Sequence, residues 1–224
     1  MNATPIPSAI WQFDGRFARL SCAGLEANVD VLAPRRGLAQ LTYRGGAVGG
    51  WLLGLDVDAE PGDVYVRGDD LVVAYRETPA RPFSVQVYWS AAARPAESAV
   101  VLDATVSVQT RAWETSPRIV TSSSLDGADV AAVTSTVMLA RPRAVDWSYA
   151  EVAPAEDFAP IADVEDGAGN PSAAMRWAFR EQFMERGVIR RLRLRGVLVP
   201  RVDDVAAATR LRDALLAEQP PLTA

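Results

Sequence analysis

The sequence predicts an all-β, mostly antiparallel protein: two packed sheets, a sandwich or supersandwich, followed by one C-terminal helix. Three observations carry this expectation. The first is the stretch from Phe83 to Gln109. There Phe83, Val85, Val87 and Trp89 alternate with Ser84, Gln86, Tyr88 and Ser90. Val100, Leu102, Ala104, Val106 and Val108 then alternate with Val101, Asp103, Thr105, Ser107 and Gln109. A period of two residues sends successive side chains to opposite faces, the pattern of a half-buried strand. The second is the recurrence of short strand-like runs separated by turn residues. The third is that a helical stripe occurs in one place only, near residues 204–217.

The elements follow in order. Ile10–Phe13 and Phe17–Ser21 form a hairpin around Asp14-Gly15, a strong turn pair. Leu25, Ala27, Val29 and Val31 alternate with Glu26, Asn28 and Asp30, and Pro34-Arg35-Arg36-Gly37 turns the chain into Leu38–Tyr43. Residues 45–50 read as a glycine-rich connection before the apolar run Trp51–Val57. Val64–Arg67 and Leu71–Glu77 pair across Gly68-Asp69-Asp70. After the central pair come a polar turn at Trp113–Pro117, a run at Arg118–Ser123, a Val/Thr-rich strand over Val130–Ala140 and another at Val145–Val152. Ala153–Ala174 reads as a long surface loop. Met175–Met184 and Val188–Val199 are the last strands, joined at Glu185-Arg186-Gly187. Asp203 or Asp204 is placed to cap the helix, with Val205, Ala208, Leu211, Leu215 and Leu216 as its apolar stripe and Pro220-Pro221 as its stop. No fixed-period repeat or clean linker divides the chain, so residues 1–224 read as a single β-sandwich domain.

Composition narrows the chemistry. With 49% apolar and 23% charged residues the chain is ordinary for a globular protein. Its net charge of −5 argues against nucleic acid or an acidic membrane as partner. No run approaches the roughly 20 apolar residues that span a bilayer. The opening residues lack the basic and apolar regions of a signal peptide, and the single cysteine, Cys22, forms no internal disulfide; a cytoplasmic location is the expectation. There is no histidine and no lysine: all 23 basic residues are arginine. Ser–His–Asp and Cys–His machinery, imidazole-held zinc and lysine-bearing phosphate loops therefore cannot be built within the chain. No cofactor or metal motif is recognised.

Several local patterns have a bland reading that outweighs the functional one. The glycines at 45–50 do not fit a dinucleotide fingerprint and read as a strand connection. Arg67-Gly68-Asp69 is a turn. Asp163, Glu165, Asp166, Gly167 and Asn170 crowd one loop, yet Ala174 stands where a calcium loop needs its closing glutamate. Arg186, Arg190, Arg191, Arg193 and Arg195 form a basic run whose odd members share one strand face with Ile189 and Val197. It reads as a solvated face, as the blunting of an edge strand, or as an anion site.

The order of the N-terminal pieces resembles the galactose-mutarotase-like supersandwich family. The carriers are Leu25–Val31, the turn Pro34–Gly37, Leu38–Leu41, and the later Val106-Ser107-Val108-Gln109-Thr110. The resemblance implies a sugar-related scaffold with a ligand on the concave face of a large sheet. Members that are enzymes use histidines, which this chain lacks, so no catalytic residue is carried over.

The candidate binding surface is the polar face of the central pair. If the two strands are adjacent, Gln86 and Tyr88 share a surface with Asp103, Thr105 and Ser107, with Trp113 and Glu114 as a rim and Thr134 and Thr136 extending it. Directional donors and acceptors with little charge, beside exposed tryptophan, suit carbohydrate hydroxyls and C–H faces. Antiparallel sheets also present such faces merely to water. The expectation is a non-catalytic carbohydrate binder. The alternatives are a structural or protein-interaction domain, and a carboxylate-dependent carbohydrate-active enzyme with two acids across a cleft.

Overall fold

The computed structural model describes residues 9–161, 174–180 and 183–219. The first half of the chain supplies β1 (Ile10–Phe13), β2 (Phe17–Cys22), β3 (Leu25–Asp30), β4 (Leu38–Tyr43), β5 (Gly46–Leu55), β6 (Pro61–Arg67), β7 (Asp70–Tyr75), β8 (Ser84–Arg94) and β9 (Ala99–Gln109). The second half supplies β10 (Glu114–Thr115), β11 (Val120–Leu125), β12 (Ala128–Thr134), β13 (Val137–Pro142), β14 (Trp147–Val152), β15 (Phe158–Pro160), β16 (Ala174–Phe179), β17 (Met184–Glu185), β18 (Ile189–Pro200) and the helix α1 (Asp204–Ala217). Two eight-stranded antiparallel sheets result. Sheet one runs β1-β2-β3-β4-β5-β11-β16-β15, and sheet two runs β12-β13-β14-β18-β9-β8-β7-β6. The expected all-β sandwich with one long helix is what the chain forms.

The apolar members of the alternating strands meet between the sheets. Leu20, Val29, Leu41 and Leu55 face Val73, Val87, Trp89, Leu102, Val106 and Leu194 in one continuous core. Two polar tips are satisfied across that layer. Tyr75 Oη donates to the carbonyl of Val31 at 3.0 Å, and Trp89 Nε1 to the carbonyl of Leu53 at 3.1 Å. Leu53 stands at a bulge where β5 slips against β11, with φ of +52°. Its peptide groups leave the ladder there, and Ser123 Oγ takes its N–H at 2.7 Å.

The second core lies on the other side of sheet two and decides where a site can be. Ala207, Ala208, Leu211 and Leu215 of α1 pack on Val101, Val137, Leu139, Ala150, Val152, Val197 and Val199. This covers one half of the outer face and leaves the half carried by β7, β8 and the adjoining parts of β9 and β18 uncovered.

Several sequence expectations need correction. The glycines after Arg44 are not a connection: Gly46 through Gly50 belong to β5, and the turn is Arg44-Gly45. A Cβ at Gly49 would strike the Asp126 carboxylate, and one at Gly50 the Ser124 carbonyl, so close strand approach selects glycine here. Val130–Ala140 is not one strand but the β12–β13 hairpin, and Met175–Met184 divides into β16 and β17. The long loop contains β15, and its acidic cluster from Asp163 to Asn170 lies outside the described residues. Asp203 makes no side-chain cap; it sits in the left-handed region before α1. Asp204 instead turns onto the sheet, accepting two bonds from Arg141 at 2.8 Å and one from Ser148 at 2.6 Å. The Arg141 guanidinium, with Ser148, holds its carboxyl below the ordinary range despite burial. Val205 and Leu216 of the expected stripe are exposed, and Ala207 takes their place. Finally, β18 lies between β14 and β9, so its arginines do not blunt an edge.

Candidate functional site

The register of β8, β9 and β18 sets the candidate residues in rows. Gln86 lies opposite Ser107, which lies opposite Arg191. Tyr88, Thr105 and Arg193 form the next row, and Ser90, Asp103 and Arg195 the one after. The antiparallel pairing thus brings Gln86, Tyr88, Asp103, Thr105 and Ser107 to one face. It also brings the basic run to that face, which neither local pattern revealed, because β9 and β18 are distant in sequence. The surface is therefore more charged than its two central strands imply.

Those arginines have different fates. Arg195 is buried and holds Asp103 through two bonds, at 2.7 and 3.0 Å, and Glu218 through two more, at 2.8 and 3.1 Å. Arg193 donates to the Leu215 carbonyl at the end of α1 at 3.3 Å. Both fasten the helix to the sheet. Asp103 is thereby neutralised and is a structural group as much as a candidate contact. Arg191 has no ion pair among the described residues, and its Nε is buried without a hydrogen-bond partner. The Ser107 hydroxyl beside it is also buried and unpartnered. Buried polar atoms without partners are uncommon, and each calls for an occupant or an explanation.

The remaining candidates form a preset polar surface. Tyr88 Oη donates to Gln86 Oε1 at 2.6 Å, which leaves the Gln86 amide N–H groups free to donate outward. The Arg67 guanidinium lies 5.5 Å from the centre of the Tyr88 ring and 3.7 Å from the Asp70 carboxylate. Burial raises the Asp70 carboxyl above its ordinary range, and Arg67 partly offsets this. Three shallow depressions follow one another here. One of about 250 Å³ is lined by Gln86, Ser107 and Arg191, among others. A second, of about 300 Å³, reaches Tyr88, Thr105, Arg67 and Asp70. A third, of about 310 Å³, extends past Ser84 and Gln109 to Glu77 and Arg111.

Trp113 and Glu114 line none of these depressions. Trp113 is 78% exposed at the β10–β17 ribbon, with the Arg186 guanidinium 5.5 Å from its ring. Thr134 and Thr136 adjoin the β12 edge, with β13, β14, β18 and β9 between them and β8, and do not extend the face. Trp11, Trp89, Trp147 and Trp177 are buried and Trp51 is half-buried on sheet one, so the aromatic rings at the face are Tyr88 and, in the same row beyond Val72, the exposed Tyr65. A larger depression, about 530 Å³, lies elsewhere, between Tyr43-Arg44 and Arg143–Trp147, where the Tyr43 and Trp147 rings are engaged edge-on with each other.

A second polar cluster went unread in the sequence. Glu151 of β14 is fully buried between the sheets. Trp177 Nε1 donates to it at 2.7 Å, Tyr149 Oη at 3.0 Å, and Ser123 Oγ makes a short bond. Burial pushes its carboxyl up to about 7, against the lowering effect of those three donors. Alternation was the available signal: Glu151 falls on the same face as Trp147 and Tyr149 in a strand with no exposed residue. Sealed from solvent, it holds sheet two to Ser123 and Trp177 of sheet one. Cys22 is buried as well, and burial, with Asp69, raises its thiol, which suits a packed side chain rather than a nucleophile. Among the described residues no three of Cys, Asp and Glu gather as a metal site. No described helix is long and apolar enough to cross a membrane.

No family model and no curated protein matches the chain. Solved structures do. The Slr1438 protein from Synechocystis sp. PCC 6803 is similar with a TM-score of 0.51 at 8% identity, over 89% of this chain and 99% of that one. A mutant of the heparan sulfate lyase HepC from Pedobacter heparinus is similar with a TM-score of 0.50 at 9% identity. That match covers 89% of this chain but 38% of the lyase, so this chain spans well under half of that protein's length. At such identities the likeness is one of fold, and no family match ties the chain to galactose-mutarotase-like domains. What these structures share with it is a large antiparallel β-sandwich.

Proposed function

We propose that this chain is a non-catalytic β-sandwich that binds carbohydrate, or a similar polyhydroxylated ligand, on the uncovered half of the outer face of sheet two. The observation that carries the reading is the row structure itself. Gln86, Tyr88, Thr105 and Ser107 present an amide, a phenol and two hydroxyls on adjacent strands, and the Ser107 hydroxyl is buried with no partner. Hydroxyl-rich ligands need donors and acceptors fixed in direction, and a sheet fixes them better than a loop does. The Tyr88 ring adds an amphipathic surface for C–H groups. Of the carboxylates on this face, Asp103 is committed to Arg195, and Asp70 lies 3.7 Å from Arg67. That favours binding over acid–base chemistry. The fold shared with a heparan sulfate lyase is compatible with this reading and adds fold alone.

The test is calorimetric titration with a panel of neutral and acidic oligosaccharides. Affinities from millimolar to micromolar are expected, about −4 to −8 kcal/mol. Gln86→Ala and Tyr88→Ala should each weaken the best ligand about tenfold, roughly 1.4 kcal/mol. A flat response to every member of the panel refutes the proposal.

A further inference from the structure

The three depressions are not equivalent in charge. At one end Arg111 lies 4.0 Å from Glu77, and at the other Arg67 lies 3.7 Å from Asp70. The middle depression is different. It is lined by Arg76, Ser84, Gln86, Ser107, Gln109 and Arg191, with apolar side chains and no carboxylate. Neither Arg76 nor Arg191 forms an ion pair among the described residues, although this protein has more acids than bases. The unpartnered Ser107 hydroxyl and Arg191 Nε lie in the same row, opposite each other across the β9–β18 pair.

We infer that the ligand of this face is an acidic saccharide, whose carboxylate or sulfate sits in the middle depression between Arg191, Arg76 and the Ser107 hydroxyl. This rests on the carbohydrate reading of the face and adds the charge of the ligand. An oxyanion suits this lining: it accepts from a guanidinium fork and from a hydroxyl, and it supplies the charge that the arginines on the two sides of the depression lack. A neutral hydroxyl would satisfy Ser107 while leaving the arginines uncompensated. Arg191 also borders the depression toward Tyr88 and Arg76 the one toward Glu77, so each arginine stands where the middle depression meets a flank that holds an arginine–carboxylate pair. Strand geometry gives the face its reach: Asp103 to Gln109 spans roughly 20 Å, room for an oligomer lying along β8 and β9.

The experiment compares an oligogalacturonate with its fully methyl-esterified form, which keeps the backbone and removes the charge. The acid should bind at least tenfold more tightly, lose affinity as sodium chloride is raised, and be displaced by inorganic sulfate. Arg191→Gln should bring acid and ester to within about threefold of each other. Arg76→Gln, at an exposed side chain without an ion pair among the described residues, should reduce the ratio as well and covers the case in which the first variant does not fold. Equal affinity for acid and ester in the wild type overturns the inference and leaves the carbohydrate reading standing. Failure of both to bind into the millimolar range overturns the inference, and the carbohydrate reading is then decided by the rest of the panel. A full preference for the acid in both folded variants also overturns the inference, because the anion would then sit elsewhere.

Discussion

Replacing Glu151 by glutamine should make the protein less sensitive to alkaline pH without weakening it in acid. Glu151 is completely buried, and its carboxyl is pushed up to about 7 from an ordinary value of 4.5, chiefly by burial. Below the unfolded value both states carry the proton and the contribution is complete. Between the unfolded value and about 7 the unfolded chain ionises while the folded chain does not, so stability falls as pH rises, by about 1.4 kcal/mol per pH unit. Above the folded value the loss is complete, at about 3 kcal/mol. Glutamine imitates the protonated form. Its amide oxygen accepts from Trp177 Nε1, and its NH₂ donates to the hydroxyls of Ser123 and Tyr149, which rotate to accept. Urea unfolding from pH 5 to pH 8.5 therefore separates the two proteins. Near pH 5 the variant should lead by about 1 kcal/mol at most; near pH 8.5 it should be more stable by about 3 kcal/mol. Glu151→Ala is the control. It strands three buried donors and opens a cavity, so it should cost about 2–5 kcal/mol near pH 5, and, lacking the titrating group, it should lose the alkaline fall as the glutamine variant does. Parallel pH profiles for wild type and Glu151→Gln would refute the reasoning, because burial would then not be penalising the charge.

Two further outcomes follow from the packing. Arg195→Ala leaves Asp103 and Glu218 without their shared partner, and should cost about 3 kcal/mol, at the low end for a buried pair because both carboxylates keep some solvent contact. Amide exchange in α1 should accelerate in that variant while the β2–β3 hairpin is unchanged. Gly37→Ala should be far more harmful than Gly68→Ala, although both glycines have positive φ. A Cβ at Gly37 strikes the Leu52 and Leu53 carbonyls, whereas one at Gly68 meets open space and carries only the conformational cost of about 1–2 kcal/mol. Thermal melts of the two variants check the difference.

Local periodicity made part of this protein legible in advance. The hairpin at Asp14-Gly15, the two central strands and the bounds of α1 follow from neighbouring residues, because turn chemistry and alternation act over a few positions. Whatever depends on distant partners was not legible. Gly49 and Gly50 read as a loop because what presses against them, Ser124 of β11 and Asp126 in the turn after it, is distant in sequence. The Arg190–Arg195 run read as a solvated face, an edge strand or an anion site because nothing local places β18 beside β9. Asp103 read as a free polar group because its partner Arg195 comes from that same distant strand. Glu151 was hidden by its own unlikelihood, since a carboxylate between two sheets is tolerated only where Ser123, Tyr149 and Trp177 converge on it. For the candidate site, alternation fixed which residues share a face. It could not show that α1 would cover half of that face and leave Gln86, Tyr88 and Thr105 uncovered around the buried Ser107.

Chemical-shift mapping of the labelled protein against the tightest saccharide of the panel tests the central claim most directly. Binding at the open face should shift the amides and side chains of Gln86, Tyr88, Thr105, Ser107 and Arg191 together, on one saturation curve. Trp113, Arg186 and the depression between Tyr43 and Trp147 should stay unmoved. Shifts confined to Trp113 and the β10–β17 ribbon, or to the Tyr43–Trp147 region, would contradict the assignment of the site.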